Sequence, residues 1–186
     1  MRKPLGPILV ALLLVLCVQF RPTFAAAATA GEIDAKVRTA LHGLYAKNEV
    51  AKVLAEKAVG ILVFPDVVKG GLIIGGQYGD GALVRSGEIK GYYRTIAASY
   101  GLQAGVQSFG YALFFMNEAA LGYLDRSDGW EVGVGPTLVV MDEGRSASFS
   151  TTTAKDDIYA FFFNQKGLMA GIGIQGSKIS KFTPDP

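Results

Sequence analysis

Cysteine, histidine and charge are scarce in this 186-residue chain, which has one Cys, one His and 18% charged residues. A single cysteine excludes an internal disulfide framework and a multi-cysteine metal site. One histidine argues against a histidine-rich metal centre and against a catalytic triad with a histidine base. Because half of the residues are hydrophobic, the chain does not have the composition of a disordered tail, and its length suits one domain.

Residues 1–27 are interpreted as a secretory signal peptide. Arg2 and Lys3 give a positive start, residues 8–18 form an apolar run, and small residues follow at 25–28. Cleavage there reduces the basic residues from 18 to 15 against 16 acidic ones, so the net charge changes from +2 to −1. The sequence therefore predicts an exported protein, periplasmic or peripherally attached to the cell envelope, with no electrostatic basis for nucleic-acid binding.

Cys17 leaves a second form of export open. A lipoprotein signal needs a small residue just before the acylated cysteine, and this chain has Leu16 there. We therefore expect cleavage without acylation, and an acylated Cys17 is the alternative.

Two short amphipathic helices are predicted to open the mature chain. Thr29 and Glu32 fit a capping box, and an apolar stripe then recurs at helical spacing up to about Lys47. Asn48 can cap a second helix that runs to Ala58. Short β-rich runs separated by turn residues follow. The predicted strands are 59–64, 71–78, 82–85, 89–95, 99–116, 130–141, 146–153 and 168–179, and short helices are predicted over 117–124 and 154–163.

Glycine and glutamine alternate with apolar residues in three of these runs. The small face contains Gly101, Gln103, Gly105, Gln107, Gly133, Gly135, Gly171 and Gly173. Because glycine weakens a strand, a period-two repeat suggests a sheet that is sharply bent or closely approached on that face. The sequence therefore predicts a mainly β (α+β) domain over residues 28–186: a small antiparallel β-barrel core with the helices packed on its surface. A generic curved antiparallel sheet is the alternative.

The motifs of common enzymes and cofactor sites are absent or incomplete. Residues 171–176 have the letters of a dinucleotide fingerprint, but no helix and distant acidic residue follow. The glycine-rich segment 75–81 lacks the Lys-Ser/Thr ending of a phosphate loop, so a bulge or tight turn is predicted there. His42 lies off the apolar stripe and is predicted to be an exposed helix residue. We therefore expect no catalytic activity, no metal and no cofactor.

Three ordered blocks of the sequence lie at residues 58–83, 99–108 and 167–176. They resemble the N-terminal signature, the second block and the closing block of the SYLF domain family, respectively. The resemblance implies a β-barrel core with surface helices, no known catalysis, and binding of lipids, phosphoinositides in particular, by eukaryotic members. Some fungal relatives act on actin. Residues 91–95 replace the Trp-Ser-x-Pro motif of eukaryotic members, and predicted export also argues against an actin role.

The function expected from these observations is weak binding of anionic phospholipid or phosphoinositide headgroups at a membrane surface. The candidate lipid-binding residues are Lys36, Lys47, Lys52, Lys57 and Lys69. Acidic residues interleave with the lysines of the helices, so an ordinary solvated face is the alternative interpretation.

Two other functions remain open from the sequence. One is a soluble periplasmic domain that binds an envelope protein and no lipid. The other is an integral outer-membrane β-barrel, against which several predicted strands are shorter than the ~9 to 11 residues that such a barrel needs.

Overall fold

The computed structural model describes residues 28–71, 74–100, 105–141, 155–167, 174 and 176–185. The predicted signal peptide and Cys17 lie outside the described residues, as do the predicted strand at 146–153 and the glycines at 171 and 173.

The two predicted N-terminal helices are confirmed. Helix α1 (Ala30–Lys47) begins with the capping box, in which the Thr29 side chain accepts a hydrogen bond from the Glu32 backbone and Glu32 accepts one from the Thr29 backbone. Helix α2 (Glu49–Ala55) begins at Asn48, whose side chain accepts a hydrogen bond from the Ala51 N–H. These local bonds satisfy amides that the first helical turn leaves without a partner, so the sequence signals sufficed to place both helices.

Eight strands form one sheet in the order β5-β8-β3-β2-β1-β4-β7-β6. A short helix α3 (Glu118–Leu121) and a 3-10 helix (Gly122–Asp125) follow β4, as predicted for 117–124. The strands are β1 (Gly60–Gly71), β2 (Ile74–Arg85), β3 (Glu88–Tyr100), β4 (Gly105–Phe115), β5 (Trp130–Glu131), β6 (Leu138–Met141), β7 (Ile158–Gly167) and β8 (Lys178–Phe182).

Both faces of the sheet are packed near its centre. The helix face is the one that α1 and α2 cover, and it buries Ile61, Val63, Phe114 and Phe161 against the stripe Ile33, Val37, Leu41 and Leu44. The second face buries another cluster, which includes Leu62, Phe64, Leu113, Phe115 and Trp130. Because successive strand residues alternate between the faces, β1 and β4 are apolar at nearly every position in this region.

The mainly β architecture with helices is confirmed, and the described strands form half of the expected β-barrel. The sheet is a curled half-barrel whose edge strands, β5 and β6, pair with each other nowhere in the described residues. It is also not wholly antiparallel, because β6 pairs with β7 in parallel. Glycine periodicity indicates curvature, and closure depends on edge pairing that periodicity does not encode.

The predicted strand break at Pro65 is wrong. Strand β1 continues through Pro65 and Asp66, where its register shifts against both β2 and β4. A bulge accommodates proline, which has no N–H to donate to a ladder. The glycine-rich segment 75–81 is likewise no turn, since it pairs in unbroken register with β3 inside β2.

Two further predictions fail in the C-terminal half. The predicted helix at 154–163 is mostly strand β7, whose aromatic residues Phe161, Phe162 and Phe163 pack within the sheet. The predicted strand at 130–141 is divided into β5 and β6. Gly133 and Gly135 lie between them with φ of +100° and +95°, so they serve a turn and form no strand face.

Candidate functional site

A groove of about 820 Å³ runs between α1 and the β6–β7 edge of the sheet. Its apolar wall contains the buried residues Leu44, Met141 and Phe161. Exposed Val140 extends this wall towards solvent. The lining therefore combines apolar side chains with cations from α1, because Lys36 and Lys47 also line it.

Lys36 forms an exposed ion pair in this groove. Its ammonium lies 3.1 Å from an Asp66 carboxylate oxygen, and the two side chains are 56% and 67% exposed. Pairs of this kind stabilise a fold by roughly 0–1 kcal/mol, so a stronger anion can displace Asp66 at little cost. Asp66 can approach α1 because the bulge at Pro65 places it on the helix face.

Lys47 lies in the last turn of α1. It is exposed and has no ion-pair partner within the part of the chain that the structure describes. The groove thus contains one paired and one unpaired lysine from the predicted set.

The structure does not bring the other three candidate lysines to this groove. Lys52 on α2 faces Glu49 at 3.6 Å, and Lys57 is exposed in the turn after α2. Lys69 lies on β1, directly opposite Gln77 on β2 and Gln107 on β4. Both glutamines are 4% exposed and lie on the second face of the sheet. The five lysines are therefore distributed over separate surfaces.

A second groove, of about 740 Å³, lies on the other side of α1. Arg38, His42 and Glu56 line it together with buried Leu41. His42 is exposed, as predicted. Tyr45 also lines this groove, and burial raises its pKa to about 12, so its hydroxyl is neutral at physiological pH.

Asp80 and Arg94 form an ion pair that sequence reasoning missed. They lie opposite each other on β2 and β3, and the pair is largely shielded, with side chains 10% and 30% exposed. The Asp80 carboxylate accepts hydrogen bonds from Arg94 and raises the pKa of its guanidinium. In the sequence, Asp80 stands between two glycines in a β-rich run, and this glycine-flanked aspartate was interpreted as part of a turn.

Asp157 fixes the start of β7 beside the groove edge. Its carboxylate accepts hydrogen bonds from the Thr137 backbone, the Asn117 amide and the Thr137 hydroxyl, and these bonds lower its pKa. Asn117 in turn caps α3. One carboxylate therefore connects α3, the residue before β6, and β7.

Within the described residues, no three His, Cys, Asp or Glu side chains are grouped as a metal site would require. None of the helices over those same ranges is both long enough and apolar enough to cross a membrane.

Comparison with known proteins relates the C-terminal half of the chain to one family. No curated protein matches the chain. Residues 96–183 match the Ysc84 family model, described as Las17-binding protein actin regulator. The match begins in β3 and continues past β8, so it leaves out β1 and β2, and all five candidate lysines precede it. The match thus confirms the resemblance to the SYLF (Ysc84) family over residues 96–183.

Proposed function

We propose that this protein is an exported, non-catalytic module of the cell envelope that binds anionic phospholipids weakly. The groove between α1 and the β6–β7 edge is the observation that carries the proposal. It offers an apolar wall for the upper part of an acyl chain or glycerol backbone, and ammonium groups for a phosphate.

The two lysines of the groove have complementary roles in this proposal. Lys47 is available to an anionic headgroup, and Lys36 can exchange its Asp66 partner for a lipid phosphate. Long lysine side chains also pack their methylene groups against apolar surface while the ammonium stays in water. A phospholipid matches this arrangement, because its charged headgroup can meet the lysines while its apolar tails meet the apolar wall.

The binding should be weak and sensitive to salt. A basic residue near an anionic membrane surface contributes ~1 kcal/mol, and Asp66 opposes the two lysines. Such attraction is screened over ~8 Å at physiological ionic strength. The lipid binding that the SYLF resemblance implies supports the same conclusion. The actin role in the family description is not carried over, because predicted export separates this protein from cytoplasmic actin.

A matched pair of double variants tests whether the groove is the site. Lys36→Gln with Lys47→Gln removes both groove cations, and Lys52→Gln with Lys57→Gln removes two cations outside it. Both variants lose the same charge, so long-range attraction changes equally. We expect the groove variant to lose several-fold more affinity for phosphatidylglycerol-containing vesicles in a flotation assay.

Equal losses in the two variants would show that only overall charge matters and would remove the groove from the proposal. Stronger loss in the Lys52 and Lys57 variant would place the lipid at α2 and the turn that follows it. Thermal melting of each protein verifies that the variants are folded, which we expect because all four lysines are exposed.

A further inference from the structure

Apolar side chains are exposed at the end of the sheet beyond the helices. Ile74 is 72% exposed and Val106 is 67% exposed, although both belong to regular strands. Val68, Tyr78 and Ile96 are about half exposed. These five residues are named the apolar sheet end, and they are the large apolar side chains that the described parts of β1 to β4 leave most open to solvent.

The strand register makes these residues neighbours on the helix face. Tyr78 lies opposite both Val68 on β1 and Ile96 on β3, which forms one apolar row across three strands. Val106 lies opposite Gly70, two residues beyond Val68 along β1. Cross-strand neighbours have Cβ atoms about 5 Å apart, so the side chains form a continuous surface. Monomeric proteins rarely expose such a surface without a partner for it.

Lysines flank the apolar row at one level of the sheet. Lys178 on β8 lies opposite Ile96, and Lys166 on β7 lies opposite Ser108, which itself lies opposite Val68. Lys69 adds a third cation on the second face. All three lack an ion-pair partner among the residues that the structure describes.

Acidic residues near this level do not cancel the positive charge. Glu131 lies opposite Lys178 on the edge strand β5 and offsets one of the three lysines. Asp66 and Asp80 lie one row nearer the helices, and each is paired with its own cation, Lys36 and Arg94. The apolar row thus lies within a band of excess positive charge, and Ile74 and Val106 form an apolar tip beyond it.

We propose that the apolar sheet end docks on a phospholipid bilayer that contains anionic lipids. Ile74 and Val106 enter the boundary between headgroups and acyl chains first, and Lys69, Lys166 and Lys178 meet the anionic headgroups around the apolar row. The charge of the lysine band favours this occupant over a second copy of the chain, which would bring more of the same cations to the interface.

This inference rests on the proposed function and gives it an orientation. Asp66 lines the groove and is two residues from Val68 on the same face, a distance of roughly 7 Å along the strand. Docking by the apolar sheet end therefore brings the groove close to the headgroups from which it would take a lipid.

Two glutamate variants with equal exposure provide the test. Ile96→Glu places a carboxylate in the apolar row, and Val134→Glu places one in the turn between β5 and β6, where the native side chain is also 52% exposed. Binding is measured by flotation with neutral phosphatidylcholine vesicles and with vesicles in which about a third of the lipid is phosphatidylglycerol. We expect Ile96→Glu to weaken binding to the anionic vesicles about ten-fold or more, and Val134→Glu to change it less than about two-fold.

Each outcome distinguishes the two proposals. If the parent binds and Ile96→Glu binds equally well, the docking surface is wrong and the lipid-binding function stands. If the parent ignores anionic vesicles, the lipid-binding function fails and docking fails with it. If Ile96→Glu instead abolishes self-association and leaves vesicle binding unchanged, the surface is a dimer interface. Val106→Ser, a milder change on β4, replaces Ile96→Glu if melting shows that the latter unfolds.

Discussion

Asp80 on β2 and Arg94 on β3 are joined by two hydrogen bonds, 2.7 Å from Nε to Oδ1 and 3.0 Å from Nη2 to Oδ2. The Arg94 guanidinium also lies 4.9 Å from the ring centre of Tyr78 and 4.4 Å from that of Phe182. This pair stands between the part of the helix face that α1 covers and the apolar sheet end. Through the two ring contacts, Arg94 holds Tyr78 and the end of β8 against strands β2 and β3.

Removing Arg94 should therefore destabilise the domain. Arg94→Gln leaves the Asp80 carboxylate, which is 10% exposed, without its counter-ion, and it also removes the contacts with Tyr78 and Phe182. We expect the free energy of unfolding in urea to fall by about 2–3 kcal/mol. The control is Lys90→Gln, which breaks the exposed pair with Glu88 and should leave the free energy of unfolding almost unchanged. Equal effects of the two changes would show that the Asp80 pair is an ordinary surface contact.

Two glycine-to-alanine changes should have opposite signs. A Cβ on Gly81 would lie 2.1 Å from the Val63 carbonyl oxygen and 2.7 Å from the Phe64 ring, so Gly81→Ala should destabilise the domain by roughly 2 kcal/mol or more. A Cβ on Gly43, inside α1, meets nothing within 4 Å, so Gly43→Ala should stabilise it by about 0.5–1 kcal/mol through helix propensity. Differential scanning calorimetry of both variants measures the two shifts. A raised melting temperature for Gly81→Ala would mean that β1 and β2 are not so closely packed.

Local signals predicted the helices, and the sheet was predictable only in part. The Thr29 and Asn48 caps act over three residues, so the sequence identifies them directly. The Pro65 bulge depends on strands β2 and β4, which no local pattern shows. The predicted small face included Gly133 and Gly173, yet the closest approaches in the described sheet are at Gly81 and Gly110, where an added Cβ would lie 2.1 Å from its nearest neighbour, and Gly133 lies in a turn. The period-two repeat of glycine therefore indicated that part of the sheet is closely packed, but it did not show which part.

Asp157 should make the stability of the domain dependent on acidic pH. Its three hydrogen bonds lower its pKa in the folded protein, so its stabilisation is full above the unfolded carboxyl pKa of about 3.9 and is lost as the pH falls through the folded value. Because the carboxylate is partly exposed, we expect Asp157→Asn to cost about 1 kcal/mol at pH 7. Urea unfolding at pH 7 and near pH 3 measures the difference between parent and variant. A difference that does not shrink at the lower pH would contradict this role.

The candidate site was predictable in residue type and less so in position. Basic residues on an amphipathic helix indicated Lys36 and Lys47, but the sequence could not show that an edge strand from residues 138–141 forms the opposite wall of their groove. The apolar sheet end was missed for a related reason. Val106 and Gln107 lie on opposite faces of β4. The apolar Val106 is 67% exposed and the polar Gln107 is 4% exposed, because the face of the sheet that contains Gln107 is the covered one. Which face of a strand is covered depends on the elements that pack there.

The most direct test of the central claim is the equilibrium binding of the parent protein to vesicles of two compositions at two salt concentrations. We predict binding to phosphatidylcholine vesicles that contain about a third phosphatidylglycerol at low salt, several-fold weaker binding near physiological salt, and hardly any binding to phosphatidylcholine alone. Equal binding to both compositions, or no binding to the anionic vesicles at low salt, would contradict the account.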